Sequence, residues 1–492
     1  MATITGGLAA APSAVAPLAN GPRALDAALT ANSPRRSPPP TPWASIVIHG
    51  AALTLWIALF AAPWVLHGVW AWSTGLVYVT YDTVLLAFTF AMTWRLLRPA
   101  PAVAHAAKPV RVGVIVAAHN EALVLPATLA ALLGQFDPPD RILIADDGST
   151  DTTAALLAKR FGLPTPALGQ VSGTGAVRWL RMPRGGKART MNVAIEAIDT
   201  EVVLTVDADT LLERTAIAAV RAAFAAEPGL VAATGVLTPV CAPSASGRLF
   251  QWFQTYEYIR NFLSRYAWMR LDSLLLISGA FAGFRRAAVI EVGGFDPDCL
   301  VEDYELIHRL KRHAARNGLA WTTRVLGGAR ALTEAPSHIG AFLRQRRRWF
   351  GGFLQTQYWY RDMVGDRRYG ALGWAMLPVK AIDTLQPLYG LTAFVLLVTY
   401  AVTGRLSVLA PVAGVIAAKI AVDLAFHLWS VKLYRAWLGD ETLAAPGQAF
   451  LAAVAEPFTF QLLRHTGAAL GWLTFLTGSQ TWGRQDRVAL TV

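Results

Sequence analysis

The sequence predicts an α/β domain on a mostly parallel, Rossmann-like sheet, inserted between membrane-spanning helices that precede and follow it. Three observations carry this. Long apolar runs flank a central region at both ends. Inside that region, short Val- and Ile-rich runs ending in polar residues alternate with helical stretches. The composition fits neither extreme, because 54% hydrophobic with 15% charged residues is too apolar for an ordinary soluble protein and too charged for a pure membrane bundle.

Taken in order, residues 1–42 are rich in Ala, Pro and Ser, end in "SPRRSPPPTP", and are expected to be a disordered tail. The first apolar run starts only near Trp43, so no secretory signal is read. Residues 43–95 hold two predicted spans, 44–65 and 70–92, each long enough at about 20 residues per crossing. Arg23, Arg35 and Arg36 precede them and Arg95, Arg98, Lys108 and Arg111 follow, which places the tail and the next domain on the cytoplasmic side. That domain is expected over 109–340. Its strands are "RVGVIVAAHN", "RILIADDGS" and "EVVLTVDADT", with helices over 122–135 and 187–198 between them. Strand–helix alternation implies a parallel sheet covered on both faces, and ligands bind such sheets beyond the carboxyl ends of the strands. Asn120, Asp146, Asp147, Asp207 and Asp209 fall there. Residues 341–382 are expected to form amphipathic interface helices. Residues 383–478 should hold two or three spans: 385–402, 406–428 and a short stretch, 449–463, broken by Glu456-Pro457. Lys419 and Asp423 stand four apart in the second of these and can pair on one helix face. Residues 479–492 form a C-terminal tail.

Net charge is +12, which suits an anionic membrane face or phosphate-bearing ligands. No basic stripe alternates with recognition helices, so nucleic acid is not an expected partner. The two cysteines, Cys241 and Cys299, form no paired motif, which excludes a zinc site or disulfide framework and fits a reducing compartment.

Several short motifs carry chemistry. In "VDAD", strand alternation puts Asp207 and Asp209 on one side, where two carboxylates suit a hard divalent cation shared with phosphate oxygens; alone, a solvated turn is the commoner reading. "ADDGSTD" makes a turn and helix start, or offers Asp146 and Asp147 to a base or ribose. "RGGKARTMN" opens a helix whose N–H groups favour phosphate, or is simply an exposed helix start. The small residues of "SGAFAGFRR", Gly279 among them, allow close backbone approach to a ligand. Glu302 and Asp303 open a helix, where a carboxylate complements the dipole or, facing a cleft, serves as general base. In "FLRQRRRWFGG", Gln345, Arg348 and Trp349 share one helical face. A basic helix on anionic lipid is one reading; the other is diphosphate neutralisation, sugar hydrogen bonding and stacking on a pyranose.

The order of these motifs between membrane spans resembles a membrane-integrated, inverting family 2 glycosyltransferase of GT-A fold, similar to the processive synthases of cellulose, hyaluronan and poly-N-acetylglucosamine. The resemblance covers about 110–350 by motif. "TWGRQDR" near the end also resembles the tail of the poly-N-acetylglucosamine branch. It implies that Asp146 and Asp147 hold the nucleoside, with Lys187 and the segment of Asn120 and Glu121 near the nucleotide. Asp207 and Asp209 would bind Mg2+ or Mn2+ with the diphosphate. Asp303, in the place of the family's TED aspartate, would be the general base. Gln345, Arg348 and Trp349 would form QxxRW at a channel mouth, with Gly279 and Glu302 beside the diphosphate and acceptor. The family's Thr is Val301 here.

The implied function is transfer of a sugar from a nucleotide-sugar, expected to be a UDP-sugar, to the end of a β-linked polysaccharide, coupled to export. The implied setting is a multi-pass protein of a bacterial-type inner membrane, in contact with its lipids, with its catalytic domain cytoplasmic. The alternative is single transfer to a lipid acceptor. No appended cyclic-dinucleotide-binding domain is read, so such regulation, like export, would need an accessory subunit. A transporter would show more spans and internal repeats.

Overall fold

The computed structural model describes residues 21–97, 110–440 and 446–478; the expectations for 1–20 and for the tail over 479–492 lie outside them. The central sheet has the order β3-β4-β2-β1-β5-β8-β7-β9-β6. In chain order these strands are β1 Val112–Ala118, β2 Arg141–Asp147, β3 Gln170–Ser172, β4 Val177–Met182, β5 Val202–Asp207, β6 Thr210–Leu212, β7 Leu230–Val240, β8 Phe281–Arg285 and β9 Thr322–Glu334. The predicted parallel core is present as β4-β2-β1-β5. Strands β1, β2 and β5 are near-continuous apolar runs because helices bury both faces, whereas β4 carries Arg178 and Arg181 and is half-buried. Beyond β5 the sheet is mixed: β8 runs antiparallel to β5 and β7, and β9 parallel to β7. The carboxyl ends of β1, β2 and β5 lie side by side, with Ala118 opposite Asp146 and Ala117 opposite Asp207.

Four described helical segments are long and apolar enough to cross a membrane: Trp43–Val65, Gly68–Leu97, Leu372–Val402 and Leu406–Leu438. They flank the domain as the sequence predicts. Lys419 does pair with Asp423, and it also takes Asp82 of the second segment, at 2.6 Å. This joins the N-terminal and C-terminal sets inside the apolar zone, where an unpaired charge is costly. The predicted interface region 341–382 divides differently. A helix Ile339–Trp359 is followed by short turns, and from Leu372 the chain already belongs to the third apolar segment. The stretch 449–463 is not one helix. Helix Pro446–Ala455 ends in a turn at Glu456–Phe458, and helix Phe460–Thr477 follows. Pro457 cannot continue the hydrogen-bond ladder.

Helix Phe460–Thr477 packs directly on helix Ile339–Trp359. A Cβ placed on Gly471 would fall 2.9 Å from the Gly351 nitrogen, and one on Gly467 would fall 2.5 Å from Cβ of Arg346. Only glycine permits this approach of one backbone to another.

The expectation of a disordered tail does not hold for residues 21–42. Gly21–Asn32 is helical, Leu25 and Leu29 are buried, and the chain runs on to the first apolar helix at Trp43 in contact with the domain. Ala-rich composition hides this docking, because the buried face is supplied by partners far away in sequence.

Candidate active site

The site has two parts joined by the segment Arg184–Lys187. The first lies at the ends of β1 and β2. Asn120 adopts a left-handed backbone, φ 58°, which Asn tolerates better than most residues. Its Oδ1 accepts the N–H groups of Thr150 and Asp151 at 2.8 and 3.2 Å, so it staples the two strand ends together. Asp146 accepts the Ser149 N–H at 2.8 Å and so closes the "DDGS" turn. Glu121 is buried beside them. Asp147 is also buried. It accepts N–H groups of Gly185 and Gly186, the Thr190 hydroxyl and the Arg184 guanidinium, all within 3.1 Å. Asp147 therefore fixes the two-glycine turn that leads into the helix Lys187–Ala197. The amides of Gly185 and Gly186 in the turn before the helix are directed at Asp147, and the helix's own first N–H groups begin after them, at Lys187.

The second part is a charge cluster beyond β5. That strand stops at Asp207, and Ala208-Asp209 form a turn before β6. Simple strand alternation therefore does not relate the two aspartates. The Asp207 side chain is 34% exposed, whereas Asp209 is buried. Lys187 Nζ lies 2.6 Å from Asp207 Oδ1 and 3.8 Å from Glu302 Oε1. Burial lowers the basicity of Lys187, but the carboxylates of Asp207, Glu302 and Asp303 outweigh it and hold the ammonium above its ordinary value. Glu302 shifts upward, first because it is buried and then because Asp303 is adjacent; Lys187 and Arg348 pull it back. Asp303 is fixed through both oxygens. Oδ2 accepts the Gly279 N–H at 2.6 Å and Oδ1 the Tyr304 N–H at 2.8 Å. A Cβ on Gly279 would sit 2.9 Å from Asp303 Oδ2, so glycine is what lets this carboxylate lie against the strand-leading loop.

Helix Ile339–Trp359 closes one side. Arg348 Nη1 donates to the Leu300 carbonyl at 3.2 Å, just ahead of Glu302-Asp303. The Gln345 carboxamide oxygen is buried with no hydrogen-bond partner among the described residues. One face of the Trp349 indole is covered by the guanidinium of Arg346, 4.5 Å from the ring. Arg346 is buried and pairs with Glu257 at 2.6 Å. Sequence reasoning missed Glu257: it lies in the long helix Ala245–Met269, in no motif, 89 residues from its partner. Val301, where the resemblance leads one to expect Thr, packs on the bare backbone of Gly352; a Cβ there would lie 2.5 Å from Val301 Cγ2.

The structure thus gathers Lys187, Asp207, Gly279, Glu302, Asp303 and Arg348. It keeps Asn120, Glu121, Asp146 and Asp147 at the ends of β1 and β2, and leaves Gln345 and Trp349 on helix Ile339–Trp359. Among the described residues no group of three or more His, Cys, Asp or Glu side chains forms a cation cage. Asp207 and Asp209 offer two hard oxygen donors instead. This fits a divalent ion that takes one or two carboxylates and completes its shell with substrate phosphates and water.

Residues 202–409 match the family model described as "Glycosyl transferase family group 2". The chain is 27% identical over 251 residues to a poly-β-1,6-N-acetyl-D-glucosamine synthase of Staphylococcus epidermidis, covering 50% of this chain and 56% of that one. It is 26% identical over 241 residues to the synthase of the same name from Staphylococcus aureus strain COL, covering 48% and 53%. The chain spans about half the length of the curated relatives it matches. Among solved structures, a mannosyltransferase from Pyrobaculum calidifontis in complex with GDP-Man and Mn2+ superposes with a TM-score of 0.49 at 21% identity, over 84% of this chain and 99% of that one.

Proposed function

We propose that this chain, which carries a family 2 glycosyltransferase domain, transfers a sugar from a nucleotide-sugar donor to the end of a growing β-linked polysaccharide at a membrane and passes the product across it. One observation carries the reading. Lys187, Asp207, Glu302 and Asp303, from three separate segments, converge beyond the end of β5, and Arg348 of the membrane-side helix reaches the same acidic group. Cations facing carboxylates at a strand terminus suit a diphosphate whose charge grows as its bond to the sugar breaks.

In this reading Asp303 takes the proton of an acceptor hydroxyl. Its two anchored oxygens fix the direction from which that hydroxyl arrives. The oxygen attacks the anomeric carbon on the face opposite the nucleotide, the bond to the diphosphate breaks, and an α-linked donor gives a β-linked product. Asp207 and Asp209 would hold Mg2+ or Mn2+. Such an ion supplies counter-charge to the leaving diphosphate. Lys187 and Arg348 add fixed positive charge on either side of Glu302. Asp146, with Asn120, Glu121 and Asp147 shaping the loop around it, faces the nucleoside. Gln345 and Trp349, at the membrane side, meet the acceptor chain; the unpaired oxygen of Gln345 matches a sugar hydroxyl.

The domain is proposed to face the cytoplasm of a bacterial-type inner membrane. The test is to incubate the protein in membranes with a panel of nucleotide sugars, UDP-N-acetylglucosamine first, and to measure released nucleotide and product length. Release with one donor and a ladder of products is expected. No release with any donor overturns the reading, and a single sugar on a lipid replaces the polymer by a glycolipid.

A further inference from the structure

Residues 25–42 bind both elements that frame the proposed chemistry. Leu25 and Leu29 are buried against the domain. Gly293, at φ +95°, lies so close that a Cβ there would fall 2.1 Å from the Leu29 nitrogen. Asn32 accepts Arg312 through its carbonyl at 3.2 Å and meets the His313 ring through its side chain at 2.8 Å. Arg35 then forms two parallel hydrogen bonds to Asp296, at 2.9 and 2.8 Å, and a further contact to Asp298 at 3.0 Å. Asp296 is fully buried.

The loop 296–301 is held from the other side by helix Ile339–Trp359. Leu300 receives Arg348 on its carbonyl and donates its N–H to Gln355 at 3.3 Å. The Arg35 guanidinium also lies over the ring of Trp359 in that helix, 5.6 Å from its centre. Two residues past the end of the strap, the first apolar helix is already under way. A closed circuit results: strap, loop, Arg348 helix, strap.

We propose that Arg35 is a positioning residue, which fixes the loop 296–301 and through it the placement of Asp303 against Arg348. The proposal rests on the roles assigned above to Asp303 and Arg348. A bidentate guanidinium–carboxylate pair sets orientation as well as distance. Small displacements of a reacting group made from afar cost up to about 100-fold in rate.

The experiment uses the full chain in membranes, with Arg35→Ala, Arg35→Lys and Asp303→Asn measured together for kcat, donor affinity and hydrogen exchange of the 296–303 segment. Arg35→Ala should lower kcat about 10- to 100-fold, leave donor affinity within about twofold, and raise exchange at 296–303 but not around β1 and β2. Arg35→Lys, which keeps the charge and loses the fork, should lie between. Unchanged kcat in Arg35→Ala overturns the proposal, as does a parallel loss of kcat and donor affinity with exchange rising throughout the domain. If Arg35→Ala does not fold, the same criteria are applied to Arg35→Lys. Wild-type turnover in Asp303→Asn would remove the underlying functional reading instead, so the two failures are distinct.

Discussion

At the scale of single residues, the proposed roles separate by what each carboxylate already touches. Asp207 is partly exposed and held by one ammonium, whereas Asp147 is enclosed by amide, hydroxyl and guanidinium donors. Asp207→Ala or Asp209→Ala should each abolish transfer, and excess chelator should reproduce the loss. Full activity in chelator, measured as nucleotide release, would remove the metal role. Asp303→Asn keeps the outline of the side chain and one of its two anchoring acceptors, turns the other into an NH2 donor, and removes the proton acceptor. Turnover should fall by about 10²–10⁴ with donor affinity intact. The neighbour Glu302 serves as control: if Glu302→Gln is the inactive variant and Asp303→Asn turns over normally, the base is misassigned. A third residue reports on stability. His308 is buried and its Nδ1–H donates to the Tyr304 carbonyl; burial pushes it down to about 4. Unfolded, it titrates near 6.5. The unfolded chain therefore binds the proton first as pH falls. The stability from a neutral His308 is complete above about 6.5 and drains away toward 4, by about 3 kcal/mol in all. Thermal midpoints at pH 7 and pH 5 should differ more in wild type than in His308→Gln.

At the scale of elements, helix Ile339–Trp359 concentrates unlike arginines in one run. Arg344 is exposed, Arg346 buried, and Arg347 and Arg348 intermediate. An arginine at an anionic surface contributes about 1 kcal/mol, so Arg344→Gln or Arg347→Gln should weaken activity modestly. Arg348→Gln should cost about 10²–10³ in rate if it faces the diphosphate. Arg346→Gln leaves the buried Glu257 with only the longer contact to Arg464, at 3.9 Å, so it should destabilise the fold by up to about 3–5 kcal/mol rather than act on rate alone. Equal small effects at all four positions, in matched membranes, would make the helix a basic anchor only. Much of this was legible in the sequence. The parallel strands announce themselves as Val/Ile runs with acidic ends, and the shared face of 345, 348 and 349 follows from helical spacing. The unread parts depend on distant partners. Glu257 and Arg346 belong to no common motif. The docked segment 21–35 reads as low-complexity chain until Gly293 meets Leu29 and Asp296, 261 residues beyond Arg35, pairs with it. The β8-β7-β9 half has no local signal for its strand directions, since register there is set by pairing between remote segments.

At the scale of the whole molecule, apolar helices on both sides of one domain and a Lys419 bridge to Asp82 and Asp423 make a single unit of chain ends that lie far apart in sequence. The proposed orientation predicts that protease added to sealed, right-side-out cells leaves the domain intact; cleavage within 110–340 would reverse it. The glycine seam between helices Phe460–Thr477 and Ile339–Trp359 has a mechanical meaning. Trp472 of the first of these donates to the Thr384 carbonyl at 2.8 Å, and His465 meets Tyr78 at 3.1 Å, so this helix is also coupled to the apolar segments. Side chains act as a compliant layer between most helices, and at Gly351, Gly467 and Gly471 that layer is missing. A tilt imposed on the apolar helices by a thicker or thinner bilayer would be passed through this seam toward Gln345, Arg348 and Trp349. The lipid around this protein is in that sense a spring in series with its chemistry.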